Sequence, residues 1–280
     1  MSKHEKNGLI RVPLSPFENL AVGAFGGAVE TFLQMPLLTY KFCVQEGRAL
    51  PTTIPAWYRG VAVQAGTIAP ITAIQFMVNG ILQKITLGGE KRMLTDVETI
   101  FTAASAGAIS SIIYSPVDLI TIQQQKLSLN PVQTFQHIMS NHGMSGIFRG
   151  ISACAVRESI YTSGYLGLAP VVTSHLSKNI DFFDGKPFAA NIMGACIAGI
   201  TAGTLTHPID TAKTVIQADL SGKQYSTARA AFPMLINEGG IPSLFKGYIS
   251  RTVRICGAFF VCMSIREYAL DIKTESASRA

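Results

Sequence analysis

The 280-residue chain is poor in charge: 14% of its residues are charged and 48% are hydrophobic. Soluble globular domains are about a quarter charged, so this composition excludes an ordinary soluble domain and favours a membrane protein. The formal net charge of +6 suits an anionic ligand or an anionic membrane surface. Binding to nucleic acid is not expected, because the sequence lacks a basic stripe interleaved with aromatic residues.

Six apolar segments of membrane-spanning length follow one another along the chain. The clearest of them, residues 61–82, has no charged residue over 22 positions. The sequence predicts transmembrane helices at about Phe17–Tyr40, Val61–Leu82, Val97–Ile120, Ile151–Thr173, Phe188–His207 and Ile249–Leu270. The predicted fold class is therefore an all-α membrane protein with six transmembrane helices, built as one domain over residues 1–280.

The six segments form three tandem pairs. Segments one, three and five end in a proline-containing stretch, and segments two, four and six each follow an aromatic-base-glycine triplet. The prolines, predicted to kink their helices, are Pro36, Pro116 and Pro208, and the triplets are Tyr58-Arg59-Gly60, Phe148-Arg149-Gly150 and Phe245-Lys246-Gly247. The predicted repeats are residues 17–90, 91–184 and 185–280.

Small residues stand thirteen and nine positions before each proline, where they let another helix approach closely in lipid. The segments that connect the two helices of a repeat differ in length. The second connector has the apolar spacing of a surface helix, and the third is similar but is interrupted by Pro233. The first is about ten residues shorter and holds two prolines. The small residues are Gly23, Gly27, Ala103, Gly107, Ala195 and Gly199, and the two prolines are Pro51 and Pro55.

The proline stretch is most complete in the third repeat, which has Pro208, Asp210 and Lys213 followed by Gln217. Its threefold recurrence, with the triplets, resembles the mitochondrial carrier family over nearly the whole chain. The resemblance implies a six-helix barrel with threefold pseudosymmetry, a central water-filled cavity and short surface helices on the matrix side. It also implies antiport by alternating access in the mitochondrial inner membrane, with both termini in the intermembrane space and lipid, including cardiolipin, at the matrix-side helix ends.

The family scheme pairs each acid of the motif with a base of the next odd-numbered helix and so closes the matrix side. Applied here, it predicts ion pairs between Asp118 and Lys213 and between Asp210 and Lys41. At the third position both partners are replaced together, by Leu38 and Thr121. A joint loss agrees with desolvation, because one charge left alone in an apolar setting costs several kcal/mol. The glutamines expected to brace this matrix gate are Gln45, Gln125 and Gln217.

The opposite gate departs from the family pattern of aromatic-acid-x-x-base on the even-numbered helices. Gln83, Thr173 and Ala269 stand where bases are expected. We therefore expect this end to close by packing and hydrogen bonds, or hardly to close.

Four residues at related positions of the even-numbered segments are predicted to contact substrate: Thr67, Arg157, Glu158 and Arg254. Arginine within a membrane segment is costly and suits carboxylate or phosphate capture, while Glu158 offers an acceptor for a cation. The simpler interpretation is that Arg157 and Glu158 neutralise each other and that Thr67 bonds its own backbone. Glu30 is a lesser candidate, for pairing or for lining the cavity. Minor cavity candidates are Gln64, Gln75 and Tyr161, and His207 is expected to be a local structural residue and not a proton relay.

An Arg-acid pair at this position resembles carriers of amino acids and related compounds such as S-adenosylmethionine. The favoured hypothesis is an inner-membrane transporter of an amino-acid-like metabolite. The alternatives are a transport-poor carrier fold that serves as a structural subunit of a respiratory-chain assembly, and a nucleotide or inorganic anion carrier. No nucleophile-base set, phosphate-binding loop or metal constellation occurs in the sequence, so an enzyme, a cofactor and a metal site are not expected.

Overall fold

The structure, a computed structural model, describes the backbone of residues 5–6, 9–10, 16–88, 92, 94–183 and 186–279. Two short strands, β1 (Glu5–Lys6) and β2 (Leu9–Ile10), pair antiparallel near the N-terminus, a detail that the sequence did not predict. The remaining described elements are helical: α1 Pro16–Glu46, α2 Ile54–Trp57, α3 Val61–Leu87, α4 Asp96–Leu127, α5 Pro131–Ile147, α6 Ile151–Thr162, a π-helical turn Ser163–Leu168, α7 Ala169–Asn179, a 3₁₀ turn Asp181–Phe183, α8 Pro187–Ala218, α9 Ala228–Gly239, a 3₁₀ turn Ile241–Phe245 and α10 Tyr248–Arg279.

Six long helical units form a closed ring. Helix α1 packs against α3, α3 against α4, α4 against α6, and both α6 and α7 against α8. The ring closes because α8 packs against α10 and α10 returns to α1. This is the predicted all-α architecture of three helix pairs around a central axis.

The three proline motifs lie inside their helices and not at the helix ends. Pro36, Pro116 and Pro208 lie within α1, α4 and α8, and each helix continues about ten residues further. The predicted segments one, three and five were therefore too short, because apolar length alone does not include the last polar turns. The acid, base and glutamine positions of the motif consequently sit on continuous helix.

Four of the described helical stretches are long and apolar enough to cross a membrane: Ala21–Glu46, Ile54–Leu87, Asp96–Leu127 and Phe188–Ala218. The predicted fourth segment is a helical unit interrupted by the π-helical turn between α6 and α7, and the sixth is α10. These two units carry Arg157, Glu158, Arg251 and Arg254. These four side chains line the cavity inside the ring, as charges within membrane segments generally do.

The glycine of each aromatic-base-glycine triplet has a positive φ, +96° at Gly60, +77° at Gly150 and +78° at Gly247. This left-handed conformation favours glycine, and close packing adds a second reason. A Cβ at Gly60 would lie 2.7 Å from Thr121 Cγ2, and one at Gly247 would lie 3.1 Å from Lys41 Cγ. The triplets therefore bring the start of each even-numbered helix against the motif of a neighbouring odd-numbered helix.

The connectors agree with the predicted difference in length. The first contains only the four-residue α2, whereas the second and third contain α5 and α9. Arg149 of the second triplet holds the end of α8, because its Nε donates to the carbonyls of Ile216 and Asp219 at 3.1 and 2.7 Å. Burial alone would raise the pKa of the Asp219 carboxyl, but hydrogen bonds from the Tyr225 amide, the Ser221 hydroxyl and the Gln224 amide lower that pKa to about 2.

Candidate functional site

Two buried ion pairs join the proline motifs of different repeats. Lys41 Nζ of α1 lies 2.5 Å from Asp210 Oδ2 of α8, and Lys213 of α8 contacts the carboxylate of Asp118 of α4. These are the two pairs expected from the motif. All four residues are at most 5% exposed, so each charge depends on its partner for stabilisation.

The third position of the ring has no charge but is bonded all the same. Leu38 packs with Met35, Phe42 and Ile122 in an apolar cluster. Gln64 of α3 donates to Asp118 Oδ1 at 3.0 Å and to Thr121 Oγ1 at 3.1 Å. The side-chain amide thus links α3 to α4 where the motif would place a salt bridge. The sequence named Gln64 only as a minor cavity candidate.

The three bracing glutamines reach neighbouring helices, as their spacing suggested. Gln45 donates to Asp210 Oδ2 at 3.3 Å and to Thr211 Oγ1 at 3.1 Å. Gln125 donates to Thr39 Oγ1 at 3.0 Å, and Gln217 donates to the Ser115 carbonyl at 3.2 Å. Gln45 therefore bonds an ion pair directly, whereas the other two hold helices together beside it.

The two ion pairs Lys41–Asp210 and Lys213–Asp118, with the side chains that bond them, form one charged network. Arg157 and Glu158 lie at its edge. Their side chains contact each other, and Arg157 also lies 3.7 Å from Asp118 Oδ2 and 3.6 Å from Asp210 Oδ1. Its guanidinium stacks over the Tyr114 ring, 4.8 Å from the centroid. The simpler sequence interpretation, mutual neutralisation, describes their contact, but Arg157 also couples both motif carboxylates to the cavity that it lines.

Arg251 is a residue that the sequence analysis missed. It is 5% exposed, its Nη2 donates to Thr206 Oγ1 at 2.7 Å, and its Nη1 lies 3.7 Å from Asp210 Oδ2. Asp210 is therefore surrounded by three cationic side chains, those of Lys41, Arg157 and Arg251. A signal was present in the sequence, since Arg251 lies three residues before Arg254 and shares its helix face.

A cavity of about 350 Å³ opens above the network, between α1, α3, α4, α6 and α10. This volume is at the small end of ligand pockets. Arg254 of α10 lines it with a side chain that is 30% exposed, and its Nη1 lies 3.8 Å from Glu30 Oε1 of α1. Arg254 Nε has no hydrogen-bond partner among the described residues. The two opposite charges therefore face the cavity as a loose pair.

Thr67, the predicted contact on α3, also lines the cavity. Its hydroxyl donates to the Val63 carbonyl at 2.6 Å, so its only described bonds are to its own helix. His207, expected to be a local structural residue, is fully buried, with its Nε2 3.0 Å from the Lys246 carbonyl oxygen.

The far end of the ring is held differently. Within the described side chains, no ion pair involves Asn79, Gln83, Ala169 or Thr173, and the side chain of Arg266 lies outside the described residues. Lys273 of α10 instead lies 2.5 Å from Glu18 of α1. Both side chains of this pair are more than a quarter exposed, so it contributes little to stability.

The chain is similar in sequence to one protein family and to several known proteins. The family described as "Mitochondrial carrier protein" matches residues 93–179 and 184–276. A calcium-binding mitochondrial carrier protein of Dictyostelium discoideum is 26% identical over 93% of the chain, which spans only 36% of that protein. A probable mitochondrial 2-oxodicarboxylate carrier of the same organism is 22% identical, with 91% of each chain covered.

A mitochondrial aspartate-glutamate transporter of Saccharomyces cerevisiae is 25% identical over 84% of the chain, which spans 29% of that transporter. The described ring of helices, the repeated proline motifs and these matches all indicate the same family. The chain belongs to the mitochondrial carrier family.

Proposed function

We propose that the protein transports a small amino-acid-like metabolite by alternating access, with Arg254 binding the carboxylate and Glu30 the cationic group. The coarser statement follows from the family: this is a multi-pass membrane transporter of the mitochondrial inner membrane, and not an enzyme. The relatives are named for different substrates, 2-oxodicarboxylates in one case and aspartate and glutamate in another, so they do not decide the substrate. The orientation with both termini in the intermembrane space is part of the proposal.

The observation that carries the proposal is the loose pair of Arg254 and Glu30 at the cavity wall. At 3.8 Å the guanidinium and the carboxylate are too far apart for a strong hydrogen bond, so each retains capacity for a ligand group. A zwitterion supplies one group of each sign. The sequence also predicts substrate contacts for Arg157 and Glu158, but their side chains already contact each other. We assign them to the boundary between the substrate cavity and the gate.

The charge balance argues against a nucleotide. The cavity and the network together hold five cationic and four anionic side chains: Lys41, Arg157, Lys213, Arg251 and Arg254 against Glu30, Asp118, Glu158 and Asp210. The formal excess is a single positive charge. A nucleoside polyphosphate would bring several uncompensated negative charges into this region, which is costly in a low-dielectric site. A carboxylate is the better match.

The test is uptake of labelled amino acids and related metabolites by the purified protein in liposomes. We expect Arg254→Ala to reduce uptake of the best substrate at least tenfold, because a charge-assisted contact contributes about 1.5–3 kcal/mol. Arg229→Ala, an exposed change on α9, is the matched control and should leave uptake unchanged. Unaltered uptake by Arg254→Ala would contradict the site assignment.

The structural-subunit alternative is motivated by the described even-helix positions that lack the family's ion pairs at the far end. It makes a different prediction: stable co-purification with a respiratory complex and no uptake of any solute. The same preparation distinguishes the two, since a transporter is active when purified alone.

A further inference from the structure

Gln34 is a buried, unpartnered amide in the wall of the cavity. Its side chain lies on α1 and is 7% exposed, and neither its Nε2 nor its Oε1 has a hydrogen-bond partner among the described residues. Leaving a buried amide without partners costs about 1–3 kcal/mol. A ligand in the cavity is the natural source of those partners, because Gln34 itself lines it.

The position of Gln34 relative to the charged pair is fixed by helix geometry. Gln34 lies four residues after Glu30 on α1, so it is on the same face about 6 Å further along the axis. Opposite it, Gly257 lies three residues after Arg254 on α10. A Cβ at Gly257 would be 3.1 Å from Gln34 Nε2 and 3.3 Å from Oε1. The glycine thus leaves the space that the amide occupies, and a larger residue would displace it.

A primary amide presents a donor and an acceptor side by side. Its complement is a planar group with an adjacent acceptor and donor, which pairs with both atoms as glutamine pairs with adenine. Two kinds of amino-acid-like compound carry such an edge: an amino acid with a carboxamide side chain, and an amino acid linked to adenine. Both place the edge away from the α-amino and carboxylate groups that the loose pair would hold.

We infer that Gln34 is a specificity-determining residue, and that the substrate is an amino-acid-like zwitterion that also bears a planar donor–acceptor edge. The inference rests on the proposed function, since it assigns a second subsite to the same cavity. In this arrangement Arg254 and Glu30 hold the charged end of the substrate. Gln34, one helical turn from Glu30, selects zwitterions whose other end bears the donor–acceptor edge.

The experiment compares paired ligands that differ only in the edge. Uptake into liposomes is competed with glutamine against glutamate 5-methyl ester, which lacks the amide N–H, and with S-adenosylmethionine against its analogue in which hydrogen replaces the 6-amino group of the adenine and so removes the donor. The wild-type protein should prefer the edge-bearing member of one pair, and which pair it is identifies the source of the edge. The measured quantity is the ratio of apparent affinities within a pair, which a general loss of folded protein does not change.

Gln34→Met keeps the length of the side chain and removes both hydrogen-bonding atoms. We expect it to reduce the preference about tenfold to a hundredfold, while the edge-lacking ligand competes as before. Gln34→Asn retains the amide and should keep part of the preference, which covers the case in which Gln34→Met does not fold. Thr201→Val, at an exposed polar residue of α8 whose hydroxyl donates to the Ile197 carbonyl of its own helix, is the control and should keep the full preference.

The two ways of failing are distinguishable. Arg254-dependent uptake with no preference in either pair, or with a preference that Gln34→Met retains, overturns the role of Gln34 and leaves the proposed function standing. An absence of Arg254-dependent uptake for every ligand overturns the proposed function and the inference with it.

Discussion

At position 121 a threonine stands where the repeat motif places a base, and the structure gives it a neutral partner. Gln64 bonds both Thr121 and the Asp118 carboxylate. The sequence showed that both charges of the third pair are absent, but nothing in it connected Gln64 to that position. The link exists because α3 and α4 pack side by side, a neighbour relation that residue spacing alone does not contain.

We predict that Gln64→Leu destabilises the protein by roughly 1–3 kcal/mol, because a buried carboxylate loses a donor. The measurement is thermal unfolding of the purified protein in detergent. Thr67→Val is the control on the same helix, since it removes a bond only to its own backbone. Equal unfolding temperatures for Gln64→Leu and the control would show that the amide link contributes nothing.

Asp210 tests whether the network acts as separate pairs or as a cluster. A strictly pairwise scheme predicts that exchanging the charges, as in Asp210→Lys with Lys41→Asp, restores much of what Asp210→Asn loses. The structure places Arg157 and Arg251 within 3.7 Å of the same carboxylate. A lysine at this position would face two arginines, and like charges in a buried site repel strongly.

We therefore expect Asp210→Asn to cost roughly 3–5 kcal/mol, as the loss of a buried anion does, and the charge exchange to rescue none of it. Unfolding temperature and liposome uptake are measured side by side for the single and double variants. Recovery in the exchanged variant would favour the isolated pair over the cluster.

At the scale of the elements, the registered small residues have unequal roles. A Cβ at Gly107 of α4 would lie 2.3 Å from the Glu158 carbonyl of α6. At Gly27 the nearest atom is an Ile68 side-chain carbon at 3.3 Å, and at Gly23 nothing lies within 4 Å. The sequence predicted a close approach in every repeat; of these three glycines, Gly107 has the closest contact with a neighbouring helix, next to the Arg157–Glu158 contact.

We predict that Gly107→Ala separates α4 from α6 and destabilises the protein by about 1–3 kcal/mol, the usual cost of overpacking. Gly23→Ala is the matched control, the same change in an open position, and should not lower stability because alanine favours helix. Thermal unfolding of both variants checks this. A loss that is no larger at Gly107 than at Gly23 would mean that the helices can move apart freely.

For the whole molecule, we predict that the states closed at either end of the ring are unequally populated. One end has the buried network, and the described even-helix positions at the other end lack the motif ion pairs. Opening the network breaks the contacts of Lys41 and Lys213, and closing the far end forms no such pairs at the described even-helix positions. Two-state populations follow this difference in contacts. Without ligand, the state with the network closed should therefore predominate.

Labelling of Thr72→Cys, an exposed residue of the cavity wall, measures this distribution. With a membrane-impermeant thiol reagent we expect rapid modification from the face opposite the network and almost none from the network face. Cys196 and Cys256, the partly exposed cysteines among the described ones, are replaced in the labelled variant. The same replacements without Thr72→Cys give the background labelling. Equal labelling rates from both faces would contradict the predicted preference.

The sequence alone determined the class of fold, the three repeats and the proline motifs, because apolar length and residue spacing are local properties that recur along the chain. The two ion pairs were expected from the resemblance to the family. Only the tertiary structure decided which polar side chains are held by the motif carboxylates and which lie at the cavity wall away from them. It committed Arg157 to the motif carboxylates, added Arg251 to them, and left Arg254, Glu30 and Gln34 at the cavity wall. The physical reason is that a buried polar group is defined by its partners, and those partners come from helices far apart in the sequence.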